Sequence, residues 1–425
     1  MTESYVVIGD GIAGSSAAET LRERDPDASV TVITDEGEAL YNRILIKEYA
    51  KGKLPEAPIS IHDADWYAER DIDLRLNTYV VDVDVDAHEL TTHGGETVGY
   101  DKLLIATGGT PSQLPVENAD AEGVHHFWTF QNARSIHDHA SAAETGVVVG
   151  AGLLGIDLAA ICGAQEVDAH YLMRGECWWR YALSPDGAEI IHDALRERGV
   201  TPVFDSGVDR FETEDGEVVA TIDPNGERFE SDFVGVAIGL DFNTEFLAET
   251  SVGVDGGIRV DEHMRTEAED VYAAGDLTRF YDTILGEVAQ NGSWGSAKEQ
   301  GQVAAENMIA DRAAGERVSG EAATTFRWVS SYSITHFDFP FLSFGHPTLG
   351  DDAVERKYSD TEWRRLAFKD GRIVGGVLIG DLAPQTTYKK LMREERVVAD
   401  QRETLMRESL DLDDLDLRTA EPAGE

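Results

Sequence analysis

Short runs of β-branched and other apolar residues alternate with helix-like stretches over roughly the first 310 residues. An apolar run at 5–8 (YVVI) is followed by a glycine-rich turn, a helix-like stretch and a second apolar run at 30–33 (VTVI). The same order of strand, glycine turn and helix returns at 147–163, and another apolar strand follows near 167–173. Strands that alternate with helices are typical of a parallel sheet with helices on its faces. The pattern therefore predicts an α/β protein with two Rossmann-like, three-layer units.

The pattern changes near residue 326, where aromatic residues occupy mostly alternating positions as far as Phe344. Alternation of this kind is typical of strands. A strand, a turn and a second strand follow at 363–380 (WRRLAFKDGRIVGGVLIG), with Asp370-Gly371 at the turn of a hairpin. We therefore predict a small C-terminal α+β domain. The aromatic run is interpreted either as a docking surface for a partner or as a plain hydrophobic core.

The composition is strongly acidic. The chain has 81 acidic and 36 basic residues among 425, which gives a formal charge of -45, while 42 % of its residues are apolar. The apolar fraction excludes a disordered acidic chain, and the charge makes nucleic acid or an anionic membrane an unsuitable partner. A folded protein can carry this much repulsion among its negative charges where salt screens them, because the Debye length falls to about 3 Å at 1 M salt. We predict a cytoplasmic protein adapted to high salt, the alternative being an ordinary acidic enzyme.

Cysteine usage and the chain's start restrict the class further. Two cysteines, Cys162 and Cys177, allow no disulfide framework and show no Cys/His spacing of a metal site. The first apolar strand begins at residue 5, which leaves no room for a signal peptide, and the longest apolar run, 147–156, is too short for a membrane helix. We expect no metal, no secretion and no membrane span.

A G-x-G-x-x-G motif, made by Gly9, Gly11 and Gly14, lies between the first strand and the first helix. Glycine suits these positions because the turn is tight, a pyrophosphate approaches the backbone, and the helix packs closely on the strand. The start of the helix then presents N–H groups to the phosphates. An acid for the ribose hydroxyls is expected after the second strand, where Asp35 and Glu36 stand. We predict a nucleotide site here, the alternative being a turn that serves packing alone.

A second motif of the same kind is formed by Gly150, Gly152 and Gly155. Here the expected acid is missing, because the following strand is succeeded by Arg174, with Arg180 shortly after. A guanidinium pairs with a 2′-phosphate, which a carboxylate would repel. The sequence therefore favours NADPH over NADH at this site, unless Arg174 is only a solvated surface charge.

Two further short motifs place small residues where a backbone must approach a cofactor. The first is ATGG at 106–109, which follows an apolar strand, and the second is VYAAGD at 271–276. In the second motif Asp276 is positioned to accept hydrogen bonds from the hydroxyls of a polyol.

The order of these motifs resembles that of the two-dinucleotide flavoproteins, the pyridine nucleotide-dependent FAD oxidoreductases of the pyridine nucleotide-disulfide oxidoreductase superfamily. The resemblance runs from residue 5 to about 381 and is strongest to the rubredoxin- and ferredoxin-reductase branch and to the flavin part of NAD(P)H nitrite reductases. Segments 41–54, 294–308 and 375–381 are similar to segments of that branch.

The resemblance implies roles for the residues that match the family's motifs. Arg43 would lie near the flavin-side phosphates, and Asp276 would bind the ribityl chain. Lys47, one position before the family's usual lysine, would be a cation near the flavin or else a surface lysine. Trp294 would lie beside the isoalloxazine or else in a helix core. The full set of implied cofactor-binding residues is Gly9, Gly11, Ile12, Ala13, Gly14, Asp35, Glu36, Arg43, Lys47, Val81, Ala106, Thr107, Gly108, Gly150, Gly152, Leu153, Leu154, Gly155, Asp157, Arg174, Gly239, Gly275 and Asp276.

The resemblance also implies a domain order. An FAD-binding domain would comprise 1–112 and 241–320, an NAD(P)H-binding domain 113–240, and a C-terminal interface domain 321–408. Residues 409–425 would form an acidic tail.

The absence of cysteine between residues 37 and 60 argues against thiol-relay chemistry, because the family's disulfide reductases place their reactive cysteine there. The expected activity is hydride transfer from NADPH or NADH to FAD, then electron transfer to a small redox protein of the ferredoxin or rubredoxin type. Two alternatives stay open: a direct small-molecule or quinone reductase or NAD(P)H oxidase, and a sensor that binds flavin and nucleotide with little turnover. A homodimer is also left open.

Overall fold

Two parallel five-stranded sheets and one antiparallel five-stranded sheet form the framework of this computed structural model, which describes residues 3–417. Within these residues the strands are, in chain order, β1 (Ser4–Ile8), β2 (Ser29–Ile33), β3 (Ile72–Arg75), β4 (Val80–Asp84), β5 (Glu89–Thr92), β6 (Thr97–Gly99), β7 (Lys102–Ile105), β8 (Gly109–Pro111), β9 (Val124–His126), β10 (Thr145–Val149), β11 (Asp168–Leu172), β12 (Val200–Val203), β13 (Arg210–Glu214), β14 (Glu217–Ile222), β15 (Arg228–Glu230), β16 (Phe233–Val236), β17 (Leu240–Phe242), β18 (Ile258–Val260), β19 (Val271–Ala273), β20 (Thr278–Asp282), β21 (Glu287–Ala289), β22 (Ser331–Ile334), β23 (Phe341–Gly345), β24 (Asp352–Lys357), β25 (Trp363–Lys369) and β26 (Arg372–Ile379). The helices of the same residues are α1 (Ile12–Arg24), α2 (Ile46–Ala50), α3 (Ala64–Glu69), α4 (Phe130–Ala140), α5 (Leu153–Ala164), α6 (Pro185–Arg196), α7 (Trp294–Ala314), α8 (Gln385–Arg393) and α9 (Arg402–Leu405).

The described residues divide into two compact units. The first holds the residues up to Asn42, Ala57–Thr110 and Asp241–Ser330. The second holds Arg43–Glu56, Pro111–Leu240 and the described residues from Ser331 onward. The domain boundaries expected from the family resemblance stay a prediction, and the end of the expected tail, from residue 418, lies outside the described residues.

The first unit is built on a parallel sheet with the strand order β19-β7-β1-β2-β3. In its central strands, residues 5–8 and 103–105 are apolar and at most 4 % exposed. Continuous apolar strands are typical of a parallel sheet that is covered on both faces. Helices α1 and α7 pack against each other so closely that a Cβ on Gly301 would be 2.0 Å from the carbonyl oxygen of Ala13. This approach needs glycine.

The second unit contains a parallel sheet with the order β12-β11-β10-β16-β9 and the antiparallel sheet β22-β23-β26-β25-β24. The two parallel sheets confirm the predicted α/β class with two Rossmann-like units, and the antiparallel sheet confirms a different C-terminal architecture. Among residues 3–417, no helix combines the length and the apolar character that crossing a membrane requires.

The C-terminal sequence pattern is explained by turn chemistry and core packing. Asp370 and Gly371, which connect β25 to β26, have φ values of +50° and +77°, as the predicted two-residue hairpin turn requires. Of the aromatic run, Phe326, Phe341 and Phe344 are at most 2 % exposed. These three residues therefore belong to hydrophobic cores, whereas Trp328 of the same run is 37 % exposed, so the docking-surface interpretation is wrong only for the buried members.

Candidate functional site

Four strands of the first unit's parallel sheet end in residues that the sequence singles out. Gly9 follows β1, Glu36 lies beyond the end of β2, Thr107 lies beyond β7, and Asp276 lies beyond β19. Because these four strands are neighbours in one parallel sheet, their carboxyl ends lie along the same edge. Ligands of open α/β sheets bind outside the carboxyl ends of the strands. The structure therefore brings the predicted residues of the first site together at such an edge.

The first glycine loop leaves a space that suits a pyrophosphate. Gly9 has a φ of +104°, and a Cβ there would be 2.2 Å from the carbonyl oxygen of Ala106. A Cβ on Gly14 would be 1.9 Å from the carbonyl oxygen of Gly9. By contrast, a Cβ on Gly11 would meet no atom of the described residues within 4 Å. Gly11 is the N-cap of α1, whose first turn starts with Ile12 and holds no acidic residue, so the helix start favours an anion at this space.

Glu36 is held in place at the end of the second strand. The hydroxyl of Tyr41 donates to its Oε2 at 2.6 Å, and its carbonyl oxygen accepts from the N–H of Asn77 at 3.0 Å. Asp35 beside it is exposed. A carboxylate fixed at this place suits the ribose hydroxyls of a dinucleotide.

Asp10, between the first two glycines of the motif, is a buried acid that sequence reasoning missed. Its Oδ1 accepts from the hydroxyl of Tyr67 at 2.6 Å, and its Oδ2 has no hydrogen-bond partner among residues 3–417. Burial raises the pKa of Asp10 to about 7, with Glu36 adding to the shift and the hydrogen bonds from Tyr67 and from the backbone of Leu40 opposing it. The signal in the sequence is an ionisable residue inside a glycine loop that is otherwise built for a diphosphate.

The remaining predicted residues of the first site lie on two other loops and on three elements, α1, β4 and α7. Thr107 donates to the carbonyl oxygen of Asn243 at 2.8 Å, which fixes the loop that contains Ala106 and Gly108. The N–H of Gly275 donates to Gln300 at 2.7 Å, which fixes the loop before Asp276. Trp294 begins α7 and is half-buried, Val81 lies at a bulge of β4 with 46 % exposure, and Ala13 is buried in α1.

The second unit repeats the arrangement at the carboxyl edge of its own parallel sheet. Gly150 follows β10 with a φ of +113°, and a Cβ there would be 2.0 Å from the carbonyl oxygen of Ala237. The hydroxyl of Tyr171 donates to the carbonyl oxygen of Gly150 at 2.7 Å, and a Cβ on Gly155 would be 2.4 Å from that hydroxyl. Gly152 caps α5, whose first residues are Leu153 and Leu154, and Gly239 lies beyond β16 with a φ of +126°.

The loop after β11 carries positive charge where the first unit has its acid. Arg174 is exposed just beyond the end of the strand. The guanidinium of Arg180 donates to the hydroxyl of Tyr181 at 2.9 Å, and Tyr181 is 69 % exposed. The hydrogen bond from Arg180, with a further contribution from Arg174, lowers the pKa of Tyr181. Glu176 adds one carboxylate to the same loop. The two guanidinium groups suit a phosphate monoester.

Lys47 is buried rather than on a helix surface, so the surface-lysine alternative is wrong. Its Nζ is 3.4 Å from Oδ1 of Asp157, and the two side chains are 7 % and 6 % exposed. Arg43 lies in the same unit, where it donates to the carbonyl oxygen of Trp128 at 3.0 Å. The placement of Lys47 and Arg43 beside a flavin stays a prediction.

Both cysteines are buried, and two of the histidines contact each other. Cys162 and Cys177 are buried free thiols, and burial raises the pKa of both, to about 12 for Cys162. Nε2 of His125 lies 2.9 Å from Nδ1 of His139, a contact between residues 14 apart that spacing did not predict. No group of three or more metal-ligating side chains occurs within residues 3–417.

Two parallel sheets, each with a glycine turn and a helix start at its carboxyl edge, define a protein that binds two dinucleotides. Comparison with protein families agrees: residues 3–301 match "Pyridine nucleotide-disulphide oxidoreductase", and residues 334–396 match "Rubredoxin NAD+ reductase C-terminal domain". The chain belongs to the pyridine nucleotide-disulphide oxidoreductase family.

Individual relatives are similar over much of the chain. Rhodocoxin reductase of Rhodococcus erythropolis is 31 % identical over 278 residues, 65 % of this chain and 65 % of that protein. NADH oxidase of Methanocaldococcus jannaschii is 29 % identical over 413 residues, 92 % of each. A solved covalent complex of putidaredoxin reductase with putidaredoxin shares the fold, with a TM-score of 0.86, 22 % identity and 96 % coverage of both chains. The chain spans about half the length, 48 %, of two further curated relatives.

The comparisons confirm the predicted family, its resemblance to the rubredoxin- and ferredoxin-reductase branch, and the fold. The roles of single site residues, the preference for NADPH and the adaptation to salt stay predictions.

Proposed function

We propose that this chain takes a hydride from NADPH, holds it as reduced FAD, and passes the electrons to a small redox protein of the ferredoxin or rubredoxin type. The observation that carries this proposal is the pair of sheet edges with opposite charge. The first edge ends in Glu36 and suits the ribose of FAD, whereas the second ends in Arg174 and suits a phosphorylated ribose. The C-terminal match to rubredoxin reductases supports the electron acceptor.

The first site fits the ADP part of FAD. The open space at Gly11 and the start of α1 would receive the pyrophosphate, Glu36 would accept from the ribose, and Asp276 would accept from the ribityl hydroxyls. Thr107 and Gly275 belong to loops that hydrogen bonds to Asn243 and Gln300 anchor, and these loops would carry the backbone around the cofactor. FAD, when bound, supplies the chemistry of accepting a hydride and releasing electrons.

The second site would hold the nicotinamide nucleotide. The glycine turn at Gly150 and the start of α5 would receive its pyrophosphate, and Arg174 would pair with the 2′-phosphate of NADPH. The buried ammonium of Lys47 would stabilise negative charge on the reduced flavin. No acid–base pair is needed for this chemistry, and the buried thiols with raised pKa support electron transfer without a thiol relay.

The net charge of -45 supports adaptation to high salt, and a location in the cytoplasm is part of the proposal. At high salt, steering by charge is weak, so we expect the carrier to dock by shape and apolar contact.

A direct oxidase is the second candidate function. The Methanocaldococcus jannaschii relative, which matches 92 % of this chain, is named for that activity. The lack of any cysteine between residues 37 and 60 argues against an oxidase that works through a cysteine.

An anaerobic stopped-flow experiment in about 2–3 M KCl tests the proposal, because salt in this range screens the acidic surface. We expect NADPH to bleach the oxidised flavin of the purified protein within seconds, and NADH to do so more slowly. The reduced protein is then mixed with a ferredoxin or with dissolved oxygen. Faster reoxidation by the ferredoxin supports the proposal, and faster reoxidation by oxygen selects the oxidase. If neither nucleotide bleaches the flavin, the chain is a binding protein instead.

Gly11→Ala is expected to weaken FAD binding about tenfold while the apoprotein keeps its stability. The added methyl meets no described atom, so it disturbs only a ligand that approaches the backbone there. Fluorescence titration of the apoprotein with FAD measures the affinity, and thermal unfolding of the apoprotein measures the stability. Gly94→Ala is the matched control, because its methyl would be 3.8 Å from Thr92 and far from the loop in sequence. An unchanged FAD affinity for the first variant would place the pyrophosphate elsewhere.

A further inference from the structure

The first glycine loop holds a buried acid with no cation to balance it. Asp10 lies between Gly9 and Gly11 and is 7 % exposed. Its Oδ1 accepts from the hydroxyl of Tyr67 at 2.6 Å, its Oδ2 has no hydrogen-bond partner, and no lysine or arginine among residues 3–417 pairs with either oxygen. A buried carboxylate is costly unless it is paired with a cation or fully hydrogen-bonded. The geometry therefore favours the neutral acid at this place.

The directions of the hydrogen bonds indicate which oxygen of Asp10 carries the proton. The hydroxyl of Tyr67 has a single proton, which it donates to Oδ1. The hydroxyl of Ser15, which is 2.7 Å from that of Tyr67, must then donate to Tyr67. Since Oδ1 serves as an acceptor, the proton of the neutral acid belongs on Oδ2, which has no partner among the described residues.

An anion bound at this loop would meet the charge of Asp10. Consecutive Cα atoms are about 3.8 Å apart, so a diphosphate that approaches Gly11 lies next to Asp10. The N–H groups at the start of α1 attract the diphosphate and the Asp10 carboxylate alike, so the two anions compete for them. Salt screens a buried or partly buried pair of charges much less than an exposed pair. The diphosphate is therefore bound more tightly when Asp10 is neutral.

We infer that FAD binds to the form of this chain in which Asp10 is protonated on Oδ2, and that above neutral pH each FAD that binds takes up a proton from solvent. The inference rests on the proposed function, in which the diphosphate of FAD occupies the first glycine loop. By linkage, a proton that favours FAD binding is itself held more tightly once FAD is bound. Asp10 thereby makes the affinity for FAD depend on pH.

The groups around Asp10 determine the pH at which this dependence begins. Burial raises the pKa of Asp10 to about 7, the hydrogen bond from Tyr67 opposes the rise, and Glu36 adds to it. Glu19 and His62 lie near Tyr67, and burial lowers the pKa of His62, which therefore stays neutral over the same range. Above about pH 7 the free chain loses the Asp10 proton, whereas the complex with FAD keeps it, so the affinity for FAD falls as the pH rises.

Three variants test the role of this proton. Asp10→Asn keeps an oxygen that accepts from Tyr67 but carries no charge, so its affinity for FAD should not depend on pH. Tyr67→Phe removes a hydrogen bond that stabilises the carboxylate, so the pH at which the affinity begins to fall should rise by about half to one unit. Asp65→Asn, at an exposed position on the same helix as Tyr67, is the matched control.

Equilibrium dialysis of each holoprotein in about 2–3 M KCl, from about pH 6 to about pH 9, measures the dissociation constant of FAD. For the unaltered protein and Asp65→Asn we expect this constant to increase at least about tenfold between about pH 7 and pH 9, because binding there takes up close to one proton. For Asp10→Asn we expect a change of less than about twofold. At about pH 9 this variant should bind FAD at least about tenfold more tightly than the unaltered protein, a gain that damage to the fold does not produce.

Infrared spectra of the holoproteins, made with carbon-13-labelled aspartate, supply a readout apart from affinity. At about pH 8, where exposed aspartates are ionised, we expect the carbonyl band of a neutral aspartic acid in the unaltered protein and its absence from Asp10→Asn. Lack of that band would overturn the inference and leave the proposed function intact, as would a dissociation constant that changes with pH no more than that of Asp10→Asn. If the purified chain binds no FAD at any pH, the proposed function has failed, and the inference fails with it.

Discussion

Asp10→Asn is expected to raise the free energy of unfolding by roughly 4 kcal/mol at pH 8 and by about 1 to 2 kcal/mol at pH 5. The pKa of Asp10 is about 7 in the fold, above the ordinary value for an exposed aspartate, chiefly because the side chain is buried. The folded state therefore keeps a proton that the unfolded state loses, and stability falls as the pH rises from about 4 to about 7. The amide of the Asp10→Asn variant carries no charge, so this fall in stability with rising pH is absent from the variant.

The geometry also suits the amide. The oxygen of the introduced amide would keep the hydrogen bond from Tyr67, and its NH₂ group would replace the Asp10 oxygen that lacks a partner among the described residues. Thermal or urea unfolding of both proteins between pH 5 and pH 8, in about 2–3 M KCl, measures the difference. Asp65→Asn, an exposed position on α3, is the control and should leave the pH profile unchanged. Parallel pH profiles for Asp10→Asn and the unaltered protein would show that Asp10 is ionised in the fold.

Local chemistry explains the features that the sequence predicted well. The glycine turns follow from a positive φ at Gly9 and Gly150, together with carbonyl oxygens that a Cβ would strike. The hairpin at Asp370-Gly371 follows from two successive positive φ values. A positive φ is a local constraint, so a single sequence displays it, whereas the carbonyl oxygens that exclude a Cβ belong to Ala106 and Ala237, far along the chain. The apolar strands β1 and β7 were evident for the same local reason.

Contacts between distant residues explain what the sequence did not display. Lys47 pairs with Asp157, which is 110 positions away, and His336 is 179 positions from the same carboxylate. The raised pKa of Asp10 depends on burial against Tyr67, 57 positions further along the chain. Periodicity predicts which side of a strand or helix is buried, but it does not predict which polar group from another segment meets it there. The aromatic run shows the same limit, because alternation predicted strands without separating a core from a docking surface.

The predicted roles of single residues use both kinds of information. The family resemblance implies that Glu36 and Asp276 belong to one cofactor site, and the strand order brings their loops to one edge of the sheet. Lys47 stands one position before the lysine that the family resemblance implies, and its Nζ lies 3.4 Å from a buried carboxylate, that of Asp157.

Arg174→Asp is expected to lower kcat/KM for NADPH by at least about a hundredfold, and to change kcat/KM for NADH by much less. A hydrogen bond between a guanidinium and a phosphate contributes about 1.5–3 kcal/mol, and each 1.4 kcal/mol is a factor of about ten. The new carboxylate also repels the 2′-phosphate, which NADH lacks, so the loss is confined to NADPH. Initial rates with both nucleotides and one artificial electron acceptor measure the change.

Two features of the second unit decide how this result is interpreted. Arg180, on the same loop, donates a hydrogen bond to the hydroxyl of Tyr181. If Arg174 is the residue that contacts the 2′-phosphate, Arg180→Ala should lower kcat/KM for NADPH by less than Arg174→Asp does. Arg210→Ala is the control for charge alone, because that guanidinium is 43 % exposed on β13 and pairs with Asp209. Equal losses for NADPH and NADH in Arg174→Asp would mean that this residue meets a group that both nucleotides share. The missing acid after β11 would then reflect tolerance of either nucleotide rather than selection of NADPH.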